Sequence, residues 1–249
     1  MNNFNRDQQY ADYTIVGSDA KPISKTFMAN VFLWMFAALA VSAFFAYLFA
    51  SNEYLISYLI SNTGKGLNML GWAVMLAPLG FVLLMSFGFQ RLSSPAMITL
   101  FLLYSAINGI SFSFILLAYT AGSVLGCFLS ASAMFGIMAV MGYTTDKDLT
   151  GFGRIMMMGL IGILVAMLIN FFMHSAVVDY VISIIGVMVF TGLTAYDVQK
   201  LKRVGAGMEY EGVGQENTRK MSILGALTLY LDFVNLFLML LRLFGNRRN

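Results

Sequence analysis

Apolar residues fall along this chain in seven long runs, with the polar residues gathered between them. The runs cover approximately Thr26–Ala50, Leu67–Phe89, Ala96–Ala118, Val124–Tyr143, Ile155–Phe172, Tyr180–Tyr196 and Met221–Leu243. Each comes close to the roughly 20 helical residues that cross a hydrocarbon core of about 30 Å. Backbone groups in lipid must be satisfied within the segment, so continuous runs of this length predict helices; the strands of a membrane barrel are shorter and alternate. The pattern predicts an all-α integral membrane domain over residues 26–243, a polar tail over 1–25 and a short basic tail over 244–249. Two links stand out as longer: Ser51 to Gly66, with Asn62-Thr-Gly turn chemistry, and a charged, glycine-containing loop over Asp197 to Lys220.

Composition strengthens this reading and narrows the chemistry. Hydrophobic residues make up 59% of the chain and charged residues 11%, with a mean hydropathy of +0.78, which is too apolar for a domain whose surface faces water. Cys127 is the one cysteine and His174 the one histidine. Intrachain disulfides, Cys/His zinc sites and Cys-His nucleophile pairs are thereby excluded. His174, beside Ser175 in a short link, reads as interfacial. Glycines inside the runs (Gly159, Gly162, Gly186, Gly192, Gly225) are read as places of close helix packing. The first 25 residues lack the apolar core and cleavage site of a signal peptide, so the first span is expected to serve as the insertion signal.

Charge sets the expected orientation. With seven crossings, 11 of the 15 Lys and Arg residues fall on the side of the N-terminus and 4 on the other, which places the N-terminus and the link after span six in the cytoplasm. Arg242, Arg247 and Arg248 dissent, and a re-entrant last segment would move them to the majority side. The length of Met221–Leu243 favours a full crossing instead.

The ionisable residues within the spans are few. No acidic residue lies between Glu53 and Asp146. Asp232 sits about 16 Å into the last run, near its middle. A charged side chain there costs at least about 2.5 to 3.5 kcal/mol, so it must face the bundle interior or a water-filled cavity and have a partner. Thr228 and Asn235 lie on the same face and form with it a polar stripe. Asp197 ends the sixth run, ahead of Lys200, Lys202 and Arg203. Two carboxylates brought close in a low-dielectric site cannot both ionise cheaply and are expected to share a proton. Asp179 lies 18 residues before Asp197 on the same helical face, roughly 27 Å away, and is a candidate outer cation site, although an interfacial aspartate is the plainer reading.

Tyr196-Asp197-Val-Gln-Lys-Leu-Lys and Leu229-Tyr-Leu-Asp232-Phe-Val-Asn-Leu-Phe resemble the signature of the Bax inhibitor family, the transmembrane Bax-inhibitor-motif proteins, and the compact loops resemble its bacterial branch. The resemblance covers all seven runs. It implies a fold in which the last helix is central between two three-helix layers, and a pH-sensitive calcium leak with its paired aspartates at Asp197 and Asp232, which would bind calcium weakly as the transported ion. It also implies a latch in which Arg91, in Gly88-Phe-Gln-Arg91-Leu-Ser-Ser-Pro95, pairs with Asp197. Some relatives carry an acidic residue inside span two; here Met75-Leu-Ala-Pro-Leu-Gly80-Phe is neutral.

The leading expectation is therefore a proton-gated cation leak of the inner membrane, with lipid, calcium and protons as partners, no nucleic acid and no tightly bound cofactor. An intramembrane aspartyl protease is disfavoured, because Leu229-Tyr-Leu-Asp232 stands where such enzymes carry Gly-x-Gly-Asp. No enzymatic activity is expected. The alternative is a non-transporting regulator of a membrane protease or stress response, acting through protein binding.

Overall fold

In the computed structural model, which describes residues 23–61 and 66–248, every one of the seven apolar runs is a helix. The helices are α1 Ile23–Ser51, α2 Glu53–Ser57, α3 Met69–Gly88, α4 Ser94–Ala118, α5 Ala121–Thr144, α6 Thr150–Met173, α7 Ala176–Tyr210 and α8 Gln215–Phe244. All but the five-residue α2 are long and apolar enough to cross a membrane. Asn68, Ser93, Thr120 and Ser175 start four of them by accepting a hydrogen bond from a first-turn N–H that the helix itself leaves unpaired. The Asn62-Thr-Gly turn, Lys65 and the tail up to residue 22 lie outside the described residues.

The largest departure from expectation is the loop assigned to Asp197–Lys220, which is mostly helix. Helix α7 runs on to Tyr210, α8 begins at Gln215, and only Glu211–Gly214 connect them, with Gly212 in the left-handed region at φ 62°. The charges mark where the helix leaves hydrocarbon, not where its hydrogen-bond ladder ends. Buried Val198, Leu201 and Met208 keep helical spacing through the charged stretch, and their packing holds it helical despite Gly205 and Gly207.

Helix α8 is central. Of its most apolar stretch 67% is buried in the bundle, against 6% for α6 and 11% for α3. It packs on α1 and α4 on one side and on α5 and α7 on the other; α3 joins α4, and α6 joins α7. The result is two three-helix layers, α1/α3/α4 and α5/α6/α7, with α8 between them.

Both ends of the bundle are tied by contacts across the sequence. At the end that carries the start of α1, called the inner end because the charge count expects it to be cytoplasmic, the Ser24 N–H donates to Glu209 Oε2 (3.1 Å) and Ser94 Oγ to the Glu216 carbonyl (3.1 Å). At the opposite, outer end, Arg242 pairs with Asp179. There Thr120 N–H donates to the Asn246 carbonyl (3.0 Å) and Arg248 N–H to the Ala118 carbonyl (2.9 Å). The 30 residues of α8 thus reach from one end to the other, about 45 Å. A re-entrant last segment is overturned.

Four of the five glycines singled out by sequence face another helix, whereas a Cβ on Gly162 would meet open space. The closest backbone approaches lie elsewhere. A Cβ on Gly109 of α4 would run into the Ser42 carbonyl of α1, and one on Gly142 of α5 into the Ala195 carbonyl of α7. In α3, Pro78 has no N–H to offer the Val74 carbonyl four residues back. Ser111 Oγ of α4 donates to that carbonyl instead (3.2 Å), which satisfies it inside the membrane.

Candidate functional site

Asp197 on α7 and Asp232 on α8 are both buried, at 8% and 5% exposure. Their carboxyl groups lie within hydrogen-bond reach of each other. Oδ2 of Asp232 is buried and has no hydrogen-bond partner among the described residues. An ionised carboxylate only accepts hydrogen bonds, so a bond between the two requires a proton on one of them. The cation acting most on Asp197 is Lys200, one turn along α7, whose ammonium lies 6.0 Å from the centre of the Tyr196 ring.

The supporting residues expected from sequence are arranged differently. Thr228 Oγ1 donates to the Leu224 carbonyl (3.1 Å) and Asn235 Nδ2 to the Leu231 carbonyl (2.8 Å). Both are half-buried and hydrogen-bond back onto their own helix, so the polar stripe does not serve Asp232. This is the ordinary way for such side chains to settle in an apolar helix.

Arg91 is exposed on the turn between α3 and α4, and no ion pair joins it to Asp197 among the described residues. That turn is seated on the first turns of α8: Phe89 lies 5.9 Å from the Lys220 ammonium and Ser94 bonds to Glu216. Lys220 is about 18 Å along α8 from Asp232. The pairing of Arg91 with Asp197 that the resemblance implies is not formed in this arrangement.

The candidate outer cation site is likewise occupied by protein. Asp179 Oδ1 is 3.5 Å from Arg242 Nη1, so a cation there has to compete with a resident guanidinium. No group of three or more His, Cys, Asp or Glu side chains with metal-binding spacing occurs among the described residues. The Asp197–Asp232 pair alone offers two carboxyls, few for an ion that takes six to eight oxygens. His174 caps α6 in the left-handed region (φ 51°), exposed at the outer end.

Two groups of residues at the site were not singled out by sequence. Tyr230, buried on the face of α8 turned to α1 and α4, shares a 2.7 Å hydrogen bond with Ser42 Oγ and accepts from Asn108 Nδ2 at 3.2 Å. Asn108 also donates to the Tyr104 hydroxyl (3.0 Å), and Ser42 Oγ to the Ser105 carbonyl (2.7 Å). Mid-run Ser42 and Asn108 were the available signal, because polar groups at that depth need partners. The second group is at the inner end. Arg203 Nη2 of α7 reaches Asp148 Oδ1 (2.7 Å), and Gln199, two residues past Asp197, accepts from Leu149 N–H and donates to the Lys147 carbonyl. The α5–α6 link is thereby clamped onto α7 next to the aspartate pair.

Asp148 lies outside the spans. Hydrogen bonds from the Thr150 hydroxyl and backbone N–H, and from Arg203, hold its carboxyl well below the usual carboxylate range. Its folded value is depressed, so its contribution is fully present above the unfolded value near 3.9 and is lost only as pH falls through the lower folded value. The clamp is constant between about pH 5 and pH 8. Asp148→Asn is expected to leave unchanged the pH midpoint of any transport, read as flux against pH in proteoliposomes.

A bundle of seven spanning helices with the last one central matches the fold that the resemblance implies. Residues 24–249 match the family described as inhibitor of apoptosis-promoting Bax1. The chain belongs to the Bax inhibitor-1 family. Among its relatives, the inner membrane protein YbhL of Escherichia coli is 46% identical over 224 residues, which is 90% of this chain and 93% of that protein. A protein of Borreliella burgdorferi is 41% identical over 227 residues, 91% of this chain and 94% of the relative. One of Deinococcus radiodurans is 41% identical over 225 residues, 90% and 92% respectively. This Bax inhibitor-1 family protein is a bacterial-type, multi-pass protein of the inner membrane, in contact with the lipid bilayer through its seven helices.

Proposed function

We propose that this protein is a proton-sensitive calcium leak, with no enzymatic activity and no tightly bound cofactor, whose sensor is the Asp197–Asp232 pair. The observation that carries the reading is the contact between two buried carboxyls on the two most buried spanning helices. With a proton, the pair is satisfied by its own hydrogen bond. Without it, two like charges face each other away from water, and Asp197 gains by leaving for a cation. Arg91 is that cation: the deprotonated pair releases Asp197 to the guanidinium and the path closes, and protonation reverses the exchange. On this reading, an arrangement with the carboxyls joined and Arg91 exposed is the unlatched one. Calcium passes as cargo, weakly held by the two carboxyls with backbone and water oxygens completing its shell.

The purified protein in liposomes loaded with a calcium dye tests this reading. Arg91→Ala is expected to raise flux near neutral pH to the level the native protein reaches in mild acid, with little change in acid. Equal flux from the variant and the native protein at neutral pH would remove Arg91 from the mechanism. A native protein that passes no calcium at any pH, together with a membrane protease retained on it in native membranes, would replace the leak with the regulator reading. The exposed Tyr210 at the inner tip of the α7–α8 hairpin is the surface that favours that alternative.

A further inference from the structure

Helices α1 and α5 belong to different layers, and the space between them is not filled by protein. It is a cleft of about 820 Å³. Met28, Phe32, Met35 and Leu39 form its α1 wall, one every three or four residues; Phe128 and Phe135 form its α5 wall, and Phe233 of α8 is its floor. From Lys25 to Ala43 the α1 wall runs about 27 Å, well beyond the roughly 15 Å depth of one leaflet's hydrocarbon. Because it lies along two spanning helices, the cleft is bordered by lipid tails and not by water, and its apolar lining offers water few partners.

Away from the inner end the lining is apolar but for Ser132, whose hydroxyl is turned back onto the Phe128 carbonyl of its own helix (2.8 Å). At the inner end Lys25, exposed at the start of α1, stands beside Tyr143 and Thr144 at the end of α5. Lys202 of α7 reaches the same point: its ammonium donates to the Tyr143 carbonyl (2.8 Å) and lies 5.1 Å from the centre of that ring. Glu209, the nearby carboxylate, is committed to the Ser24 N–H at the α1 terminus. A long apolar trough with cations at the headgroup level of the inner leaflet is complementary to one kind of molecule.

We propose that the α1–α5 cleft is a binding site for an anionic phospholipid of the inner leaflet, with an acyl chain between the two helices and the phosphate at Lys25 and Lys202. The chain rests on Phe233, the residue after Asp232, which is itself held edge-on by Phe128 and Phe135 (ring centres 5.4 and 5.6 Å away). The site is independent of the leak reading, since it rests on the cleft and its cations alone. It also gives a bound lipid a direct contact with the helix turn that carries the buried carboxyl.

The full-length protein in mixed micelles, titrated with phosphatidylglycerol or phosphatidylcholine and read by native mass spectrometry, tests the proposal. Phosphatidylglycerol is expected to be retained at least about tenfold more tightly, a difference of about 1.4 kcal/mol, and Lys25→Gln combined with Lys202→Gln to abolish that preference. Ala40→Trp, which fills the cleft, is expected to remove tight binding of either lipid; Ala40→Leu, a smaller obstruction, serves if the first variant does not fold. A photoreactive p-benzoylphenylalanine at Ser132, which lines the cleft, is expected to label lipid. Equal retention of both lipids, retention unaffected by the cleft-filling variant, or labelling of a second copy or of residues 1–22 of the same chain would each overturn it.

Discussion

Asp232→Asn is expected to abolish most of the pH dependence of calcium flux. The amide can donate to Asp197 as a protonated carboxyl does but cannot lose that proton, so the variant is fixed in the joined arrangement at every pH. A sensor that shifts the closed–open balance by about 1.4 kcal/mol changes a minor open population about tenfold. The variant is expected to stay within about twofold across the same range, at the native protein's acid level. Asp197→Asn removes both the sensor and the latch partner and is expected to give the same flat profile. Flux from dye-loaded liposomes between about pH 6 and pH 8 is the measurement. A native pH profile in either variant would sink the paired-carboxyl mechanism, because among the described residues no other carboxyl is buried in the bundle. Thr228 and Asn235 bond to their own helix, and Asp179 is held by Arg242 at the other end.

The largest effect on stability is expected at Gly142. Its Cα faces the Ala195 backbone of α7 so closely that a Cβ would lie 2.9 Å from the Ala195 carbonyl carbon and closer still to the oxygen. Backbone cannot move aside as a side chain tip can, so even Gly142→Ala has to push α5 off α7. We expect a loss of about 3 kcal/mol, the upper part of the usual cost of overpacking, and more for Leu. Thermal or denaturant unfolding in micelles gives the number. Gly136→Ala, on the same helix but facing open space, is the control and is expected to be neutral or slightly stabilising. Ala195 is two residues before Asp197, so the displaced helix also shifts the aspartate pair. Equal stability of the two variants would show that the α5–α7 contact is softer than its geometry implies.

Asp232 was legible in the sequence because membrane burial makes an isolated carboxylate expensive; Asp197, at the end of its run, drew notice only as a candidate partner for it and through the family resemblance. Their direct contact depends on the rotation of α7 and α8 about their own axes, which the apolar pattern leaves free because in a membrane the lipid-facing and core-facing sides of a helix are alike apolar. The same freedom explains the misread polar stripe. Thr228 and Asn235 share a helical face with Asp232 in projection, but each had a carbonyl four residues back within reach. Tyr230, two residues from Asp232, points to the opposite layer, where Ser42 and Asn108 await it. Arg91 was placed at the correct end of the bundle by chain alternation. Where its turn sits is decided by the docking of Phe89 and Ser94 on α8.

Hydropathy by itself determined the number of spanning helices and their approximate limits, since the cost of bare backbone in lipid leaves one solution for runs of that length. It also determined that Asp232, in the middle of the last run, needs special surroundings. Only the tertiary structure decided that charged residues 197–210 continue α7 as helix, because burial of Val198, Leu201 and Met208 against neighbouring helices supplies what their polar neighbours do not. It alone decided which carboxyl meets which partner, since a side chain's nearest neighbours in a bundle come from other helices, and their placement is set by packing and not by position along the chain.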